Sequence, residues 1–138
     1  MNYKIKNIYI SNKLVAKIFK YQKKNFKGIK FFTKSHYNFQ VGLMAHPKNH
    51  IIQPHSHINK RKIIKDMSEL LILFSGKLKV YFYKKKIFYK SIILRQKDMI
   101  LLLSGAHGFK VLEKLEMIEV KQGPFTGDKD KIKIKTKK

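Results

Sequence analysis

The sequence predicts an all-β chain folded as one domain, and three observations carry that prediction. From residue 68 onward, runs rich in β-branched and aromatic residues alternate with turn signals at intervals of roughly ten residues, the pattern of a sandwich or barrel. No segment there has the length and periodicity of a long helix. Apolar types make up 43% of 138 residues, enough to fill one core in a chain too short for two ordinary domains. The domain is expected over residues 1–128, followed by a basic, flexible tail at 129–138.

Each element has its own warrant. Leu14, Val15, Ile18 and Phe19 fit a helix as well as a buried strand, and Leu14 to Phe19 is read as a strand. Asn38 to Ala45 and Ile51 to Gln53 read as strands separated by a Pro47-Lys48-Asn49 turn. Ser68 to Ser75 is an apolar run ended by Gly76, and Lys77 to Tyr83 alternates Leu78, Val80 and Phe82 with Lys77, Lys79 and Tyr81. Lys84 to Lys86 forms a polar turn before the strand Ile87 to Arg95. Gln96 to Asp98 turns into Met99 to Leu103, and a Gly105-Ala106-His107-Gly108 bend leads to strands at Phe109 to Glu113 and Met117 to Gln122.

The composition narrows the function classes. Cysteine is absent, which removes disulfides, thiolate ligands and a thiol nucleophile. Apolar runs stop at about five residues where a membrane helix needs about 20, and lysines at 4, 6, 13 and 17 break up any secretory leader. A soluble, cytoplasmic protein without membrane partners is expected. The formal charge of +24 comes from 32 basic and 8 acidic residues, with ten lysines and no acid in residues 1–34. Such a charge favours polyanions. Arg61 and Arg95 are, however, the only guanidinium groups available for base-edge readout. The charge is therefore read mainly as a solvated basic surface, and nucleic-acid binding is not the favoured reading.

Chemistry gathers around a few residues. His55 and His57 follow Pro54 and, in extended backbone, project from one face. Glu69 heads the apolar run Leu70 to Phe74, where a carboxylate needs a partner or a cation to offset its desolvation. His107 lies at a glycine-flanked bend, where small neighbours let a ligand approach the backbone. Arg61 could clamp a substrate carboxylate or phosphate. Glu119 and Lys121 share a strand face, either lining a pocket or forming an outward ion pair. His36, His46 and His50 fall in or near loops with no partner pattern.

Taken together these positions resemble the cupin superfamily. His55-Ser56-His57 and Glu69-x6-Gly76 are similar to its first motif, and Asp98 through His107 to its second. Phe31-Phe32-Thr33, Gln40-Val41-Gly42, Arg61, His107-Gly108-Phe109 and the run Ile118 to Phe125 resemble a group of small bacterial cupins over about residues 30–131. The resemblance implies a double-stranded β-helix, or jelly roll, with the barrel over about 30–128 and N-terminal strands in 1–29. It also implies one divalent transition metal, Fe, Mn, Ni, Zn or Cu, held by His55, His57, Glu69 and His107. In this chain Ile58 to Ser68 forms an inserted loop between the first two ligands and the third, and Lys97 and Leu103 replace the second motif's usual Gly and Pro.

The functional expectation is a metal-dependent cupin acting on a small polar metabolite such as a sugar or sugar nucleotide. Substrate contacts are expected from Arg61, Glu119 and Lys121, and the oligomer is expected to be a homodimer. A non-catalytic ligand-binding or sensor cupin is the alternative, and a polyanion binder the third. Whether the chain is an enzyme stays open, because a fold alone does not fix a reaction.

Overall fold

The structure is a computed structural model and describes residues 1–61, 63–124, 126–127 and 131–136. It is all-β: β1 (Asn2–Ile10), β2 (Lys13–Gln22), β3 (Gly28–Phe31), β4 (Gly42–Ala45), β5 (Glu69–Lys84), β6 (Ile87–Arg95), β7 (Met99–Leu102) and β8 (Ala106–Lys121), with no α-helix among the described residues. None therefore contains a helix long and apolar enough to cross a membrane. The main sheet has the antiparallel order β1-β2-β7-β5-β6, with β8 on the other side of β5, and β3 and β4 form a separate two-stranded sheet.

The sheet curls on itself. Ile8 and Ile10 of β1 share one buried cluster with Leu94 of β6, although those strands stand at opposite ends of the order. The inside is filled by Ala16, Ile18, Leu71, Leu73, Leu78, Val80, Phe82, Ile100 and Leu102. A second cluster, Phe19, Phe32, Val41, Leu43 and Leu101, seats the small sheet on the opposite face. Five successive buried residues, Val15 to Phe19, follow from this, because β2 is covered on both faces. The result is a strongly curled antiparallel half-barrel.

Short turns connect most neighbours. Ser11 and Asn12, both at positive φ, close the two-residue β1–β2 hairpin, as the right-handed twist of paired strands favours. Lys85, also at positive φ, turns β5 into β6.

A bend line crosses the sheet. In β5 it falls at Gly76, with φ of 81°. In β8 it falls near Lys114, where the β5–β8 register shifts. Between β6 and β7 it falls at Gln96–Asp98. There the buried Asp98 carboxylate accepts hydrogen bonds from the Tyr21 and Arg95 amides, both at 2.9 Å, and from the Lys20 ammonium. Leu73 N–H donates to Asp98 O at 3.1 Å and Lys97 N–H to Leu73 O at 2.8 Å, so the corner is tied to β5.

Several expectations change. The two strands expected on either side of Gly76 are one, β5, and those at Phe109–Glu113 and Met117–Gln122 are likewise one, β8, because bulges bend a ladder without ending it. The Gly105–Gly108 bend is shortened, since β8 already begins at Ala106. Asn38 to Ala45 is strand over Gly42–Ala45 alone, and Ile51 to Gln53 is not a strand: with Ile51 and Ile52 exposed, its apolar side chains have no sheet to bury against. Of the expected tail, residues 129–130 and 137–138 lie outside the described residues.

Three outcomes are expected. A Cβ on Gly76 would stand 2.0 Å from the Lys114 carbonyl oxygen, so Gly76→Ala should cost at least about 2 kcal/mol in a urea melt. Asp98→Ala leaves the Tyr21 and Arg95 amides without their acceptor, while the Lys20 ammonium keeps the Ile93 carbonyl oxygen at 2.7 Å, and should cost about 2–4 kcal/mol in the same assay. Lys17, buried in β2 with one bond to Asn7 Oδ1 at 3.1 Å, has its pKa lowered from 10.5 first by desolvation and then by Lys34. The unfolded chain thus holds this proton more tightly than the folded one. Stability should rise with pH between the lowered value and 10.5, and Lys17→Met should remove that rise and add about 1 kcal/mol at neutral pH. The wild-type-minus-variant difference across that range isolates this lysine from the others.

Candidate functional site

Pairing β5 with β8 sets Glu69 opposite Lys121 at one end of the ladder and Phe82 opposite His107 at the other. A straight ribbon would hold Glu69 and His107 about 40 Å apart, at roughly 3.3 Å per residue. The bend folds it in two, and His107 Nε2 lies 3.3 Å from Glu69 Oε2. Both side chains are largely buried, 25% and 16% exposed. His107 Nδ1 also lies 3.4 Å from the Gly105 carbonyl oxygen. Both ring nitrogens thus face oxygen acceptors, whereas a neutral ring has one N–H to give.

The Glu69 carboxyl is held below its ordinary 4.5, first by the hydrogen bond with His107. Partial burial works against this, and the charges of His107, Lys131 and Lys121 reinforce it. The carboxylate is therefore ionised at neutral pH, ready to accept a hydrogen bond or face a cation.

Around the pair opens a cavity of about 1020 Å³. Tyr83, Leu102 and Ser104 line its wall, and Lys131 to Ile134 run along its mouth. Glu119, opposite Leu71 in the β5–β8 register, lines it as well, which places it on the inner face. Ser104 Oγ is buried with no hydrogen-bond partner. Asp66 reaches the cavity from the Ile58–Ser68 loop and is bonded to Lys13 Nζ at 3.0 Å.

The residues singled out in the sequence fall into two groups. Glu69, His107 and Glu119 share the cavity, and Lys121 stands opposite Glu69 on the same strand face. His55, His57 and Arg61 lie on the exposed segment before β5. The two histidine rings meet edge to face at 5.3 Å, and His55 Nδ1 lies 2.9 Å from the Gln53 carbonyl oxygen. Among the described residues no group of three or more His, Cys, Asp or Glu is placed to hold a metal. Two donors 3.3 Å apart match two corners of a tetrahedral ion with bonds of about 2.0–2.2 Å, but two donors alone do not complete a site. Asp66 and Ser104 carried no sequence signal, since only the folded path brings them to the cavity.

No protein-family model, curated protein or solved structure matches the chain.

If the bend assembles the pair, Gly76→Ala should also disperse it. The His107 side-chain resonances of the folded fraction, followed by NMR, should then lose their response to Glu69→Gln. In the wild-type background Glu69→Gln should shift those resonances while leaving those of His36 unchanged.

Proposed function

We propose that this chain is a cupin-type protein that takes a small polar metabolite into the cavity of its curled sheet, with Glu69 and His107 as the polar floor. The observation that carries the reading is the half-buried pair itself. A carboxylate held ionised beside an imidazole, lining a cavity large enough for a sugar-sized molecule, offers a charged hydrogen-bond acceptor and an imidazole donor at one point. Glu119 and the unpartnered Ser104 hydroxyl add hydrogen-bonding groups around it. The bend and the curl are what a jelly-roll barrel would use to close around such a site, and the E-x6-G spacing that resembles the cupin motif coincides with it. A sugar or sugar nucleotide is the substrate class first in line. Binding without turnover, as in a sensor, uses the same groups.

The 3.3 Å donor separation favours a second, metal-dependent reading, in which His55 and His57 are brought over the mouth to complete the ligand set. The residues as placed do not fit a four-ligand centre. The segment that would have to move joins β5 through Asp66 and Met67, which already line the cavity.

Two measurements separate these readings. A thermal-shift screen of sugars, sugar nucleotides and hydroxy acids should yield stabilising ligands whose effect is lost in Glu69→Gln and His107→Ala and kept in His36→Ala. Equal shifts in all three variants, or none in the wild type, would refute the cavity reading. Elemental analysis of untagged protein tests the second: close to one transition metal per chain, lost in His55→Ala plus His57→Ala, supports it, and full retention in that double variant excludes it.

A further inference from the structure

We propose that the free edge of β8 is the surface through which two copies of this chain associate, antiparallel and about a two-fold axis. Among the described residues, three strands of the main sheet have one unpaired side: β1 pairs only with β2, and β6 and β8 pair only with β5. An unpaired edge is a template for another strand unless something blocks it. The three are not equivalent. β1 carries Lys4 and Lys6 with no acid, and β6 carries Lys90 and Arg95 with no acid, so a second copy meets like charge at either. β8 carries Lys110, Lys114 and Lys121 with Glu113, Glu116 and Glu119, three of the chain's eight acids. In a protein of net charge +24 it is the one free edge of this sheet whose own charges cancel.

Its side chains ask for cover on both faces. Val111 and Met117 stand opposite the core residues Leu78 and Leu73, on the inner face, yet both are exposed. Ile118 and Val120 stand opposite Ile72 and Leu70, on the outer face, and are exposed as well, 48% and 41%. Apolar side chains left exposed on both faces of one strand, between its charged residues, mark a surface that a partner would cover, and here it lies at the rim.

The sequence of β8 is also self-complementary. A two-fold axis perpendicular to the sheet pairs residues of the same face. Centred on Leu115, it sets Lys114 opposite the partner's Glu116 twice and Leu112 opposite the partner's Ile118 twice, with no like charges opposed. Centring on Glu113, Lys114 or Glu116 opposes that residue to its own copy, and centring on Leu112 opposes Lys110 to Lys114. The bulge near Lys114 lies close to this centre, so the ladder is expected along the arms on either side of it. An anionic partner would be drawn to the basic surfaces elsewhere instead, which makes a second copy the occupant that suits a neutral edge.

Sedimentation equilibrium at physiological ionic strength, where repulsion between the charged bodies reaches only about 8 Å, should give twice the 16.4 kDa chain mass. Ile118→Lys plus Val120→Lys should raise the dimer dissociation constant by at least about 30-fold, and Ile87→Lys on the β6 edge should leave it unchanged. Should the double variant fail to fold, zero-length carbodiimide coupling of mixed ¹⁴N and ¹⁵N wild-type protein decides. Hybrid cross-links joining two β8 peptides through Lys and Glu support the proposal. A wild-type monomer into the sub-millimolar range, or a dimer whose cross-links avoid β8, overturns it.

Discussion

The whole arrangement depends on one constraint, that the β5–β8 ribbon fold in two at Gly76. A Cβ there would meet the Lys114 carbonyl oxygen at 2.0 Å, and the backbone already holds a positive φ, so glycine satisfies both demands at once. Neighbouring strands have to follow. Between β6 and β7 the change of direction is made at Gln96–Asp98, where Asp98 absorbs two amide donors that the interrupted ladder would otherwise leave unpaired and also accepts from the Lys20 ammonium. Because the bend crosses β5 and β8 and is matched by the β6–β7 corner, the ends of a long ribbon meet, and the chemistry-bearing residues meet with them.

That constraint gives a motif spacing a mechanical meaning. In Glu69-x6-Gly76 the glutamate marks one end of β5 and the glycine its hinge, so their separation sets how far the carboxylate stands from the fold line. His107, at the far end of the partner strand, lands on Glu69 only if both arms have matching length. The depressed pKa of Glu69 follows from the same geometry, because its largest cause is the hydrogen bond with His107 and the bend supplies that partner.

Much of this was legible in the sequence. The strands from β5 onward announced themselves through alternation and turn residues, and Glu69 stood out as an acid at the head of an apolar run. Other features were hidden for physical reasons. β2 is buried on both faces, so Val15 to Phe19 has no alternation to separate strand from helix. Bulges at the bend kept β5 and β8 continuous, where local signals around Gly76 and Lys114 read as ends. Ile51 to Gln53 has the composition of a strand but no neighbour to pair with, and pairing is a tertiary event that composition does not encode. Asp66 and Ser104 reach the cavity by the path of the chain, a property of no local window.

The proposed ligand set divides along the same physical line. Glu69 and His107 belong to strands held by core packing on one side, so their positions are fixed before anything binds. His55 and His57 belong to the stretch 51–61, which is exposed at every position and contains no strand, so ordering them over the cavity costs backbone entropy that the sheet does not offset. On the metal-dependent reading, the ion itself would have to supply that ordering free energy, which couples its affinity to loop closure and to deprotonation of the two imidazoles. On the metal-free reading the floor is complete as it stands, and among the described residues the loop contributes Asp66 and Met67 to the cavity. The two readings therefore differ in where the energy for closing the site originates, in the sheet or in the cation, rather than in which residues form its base.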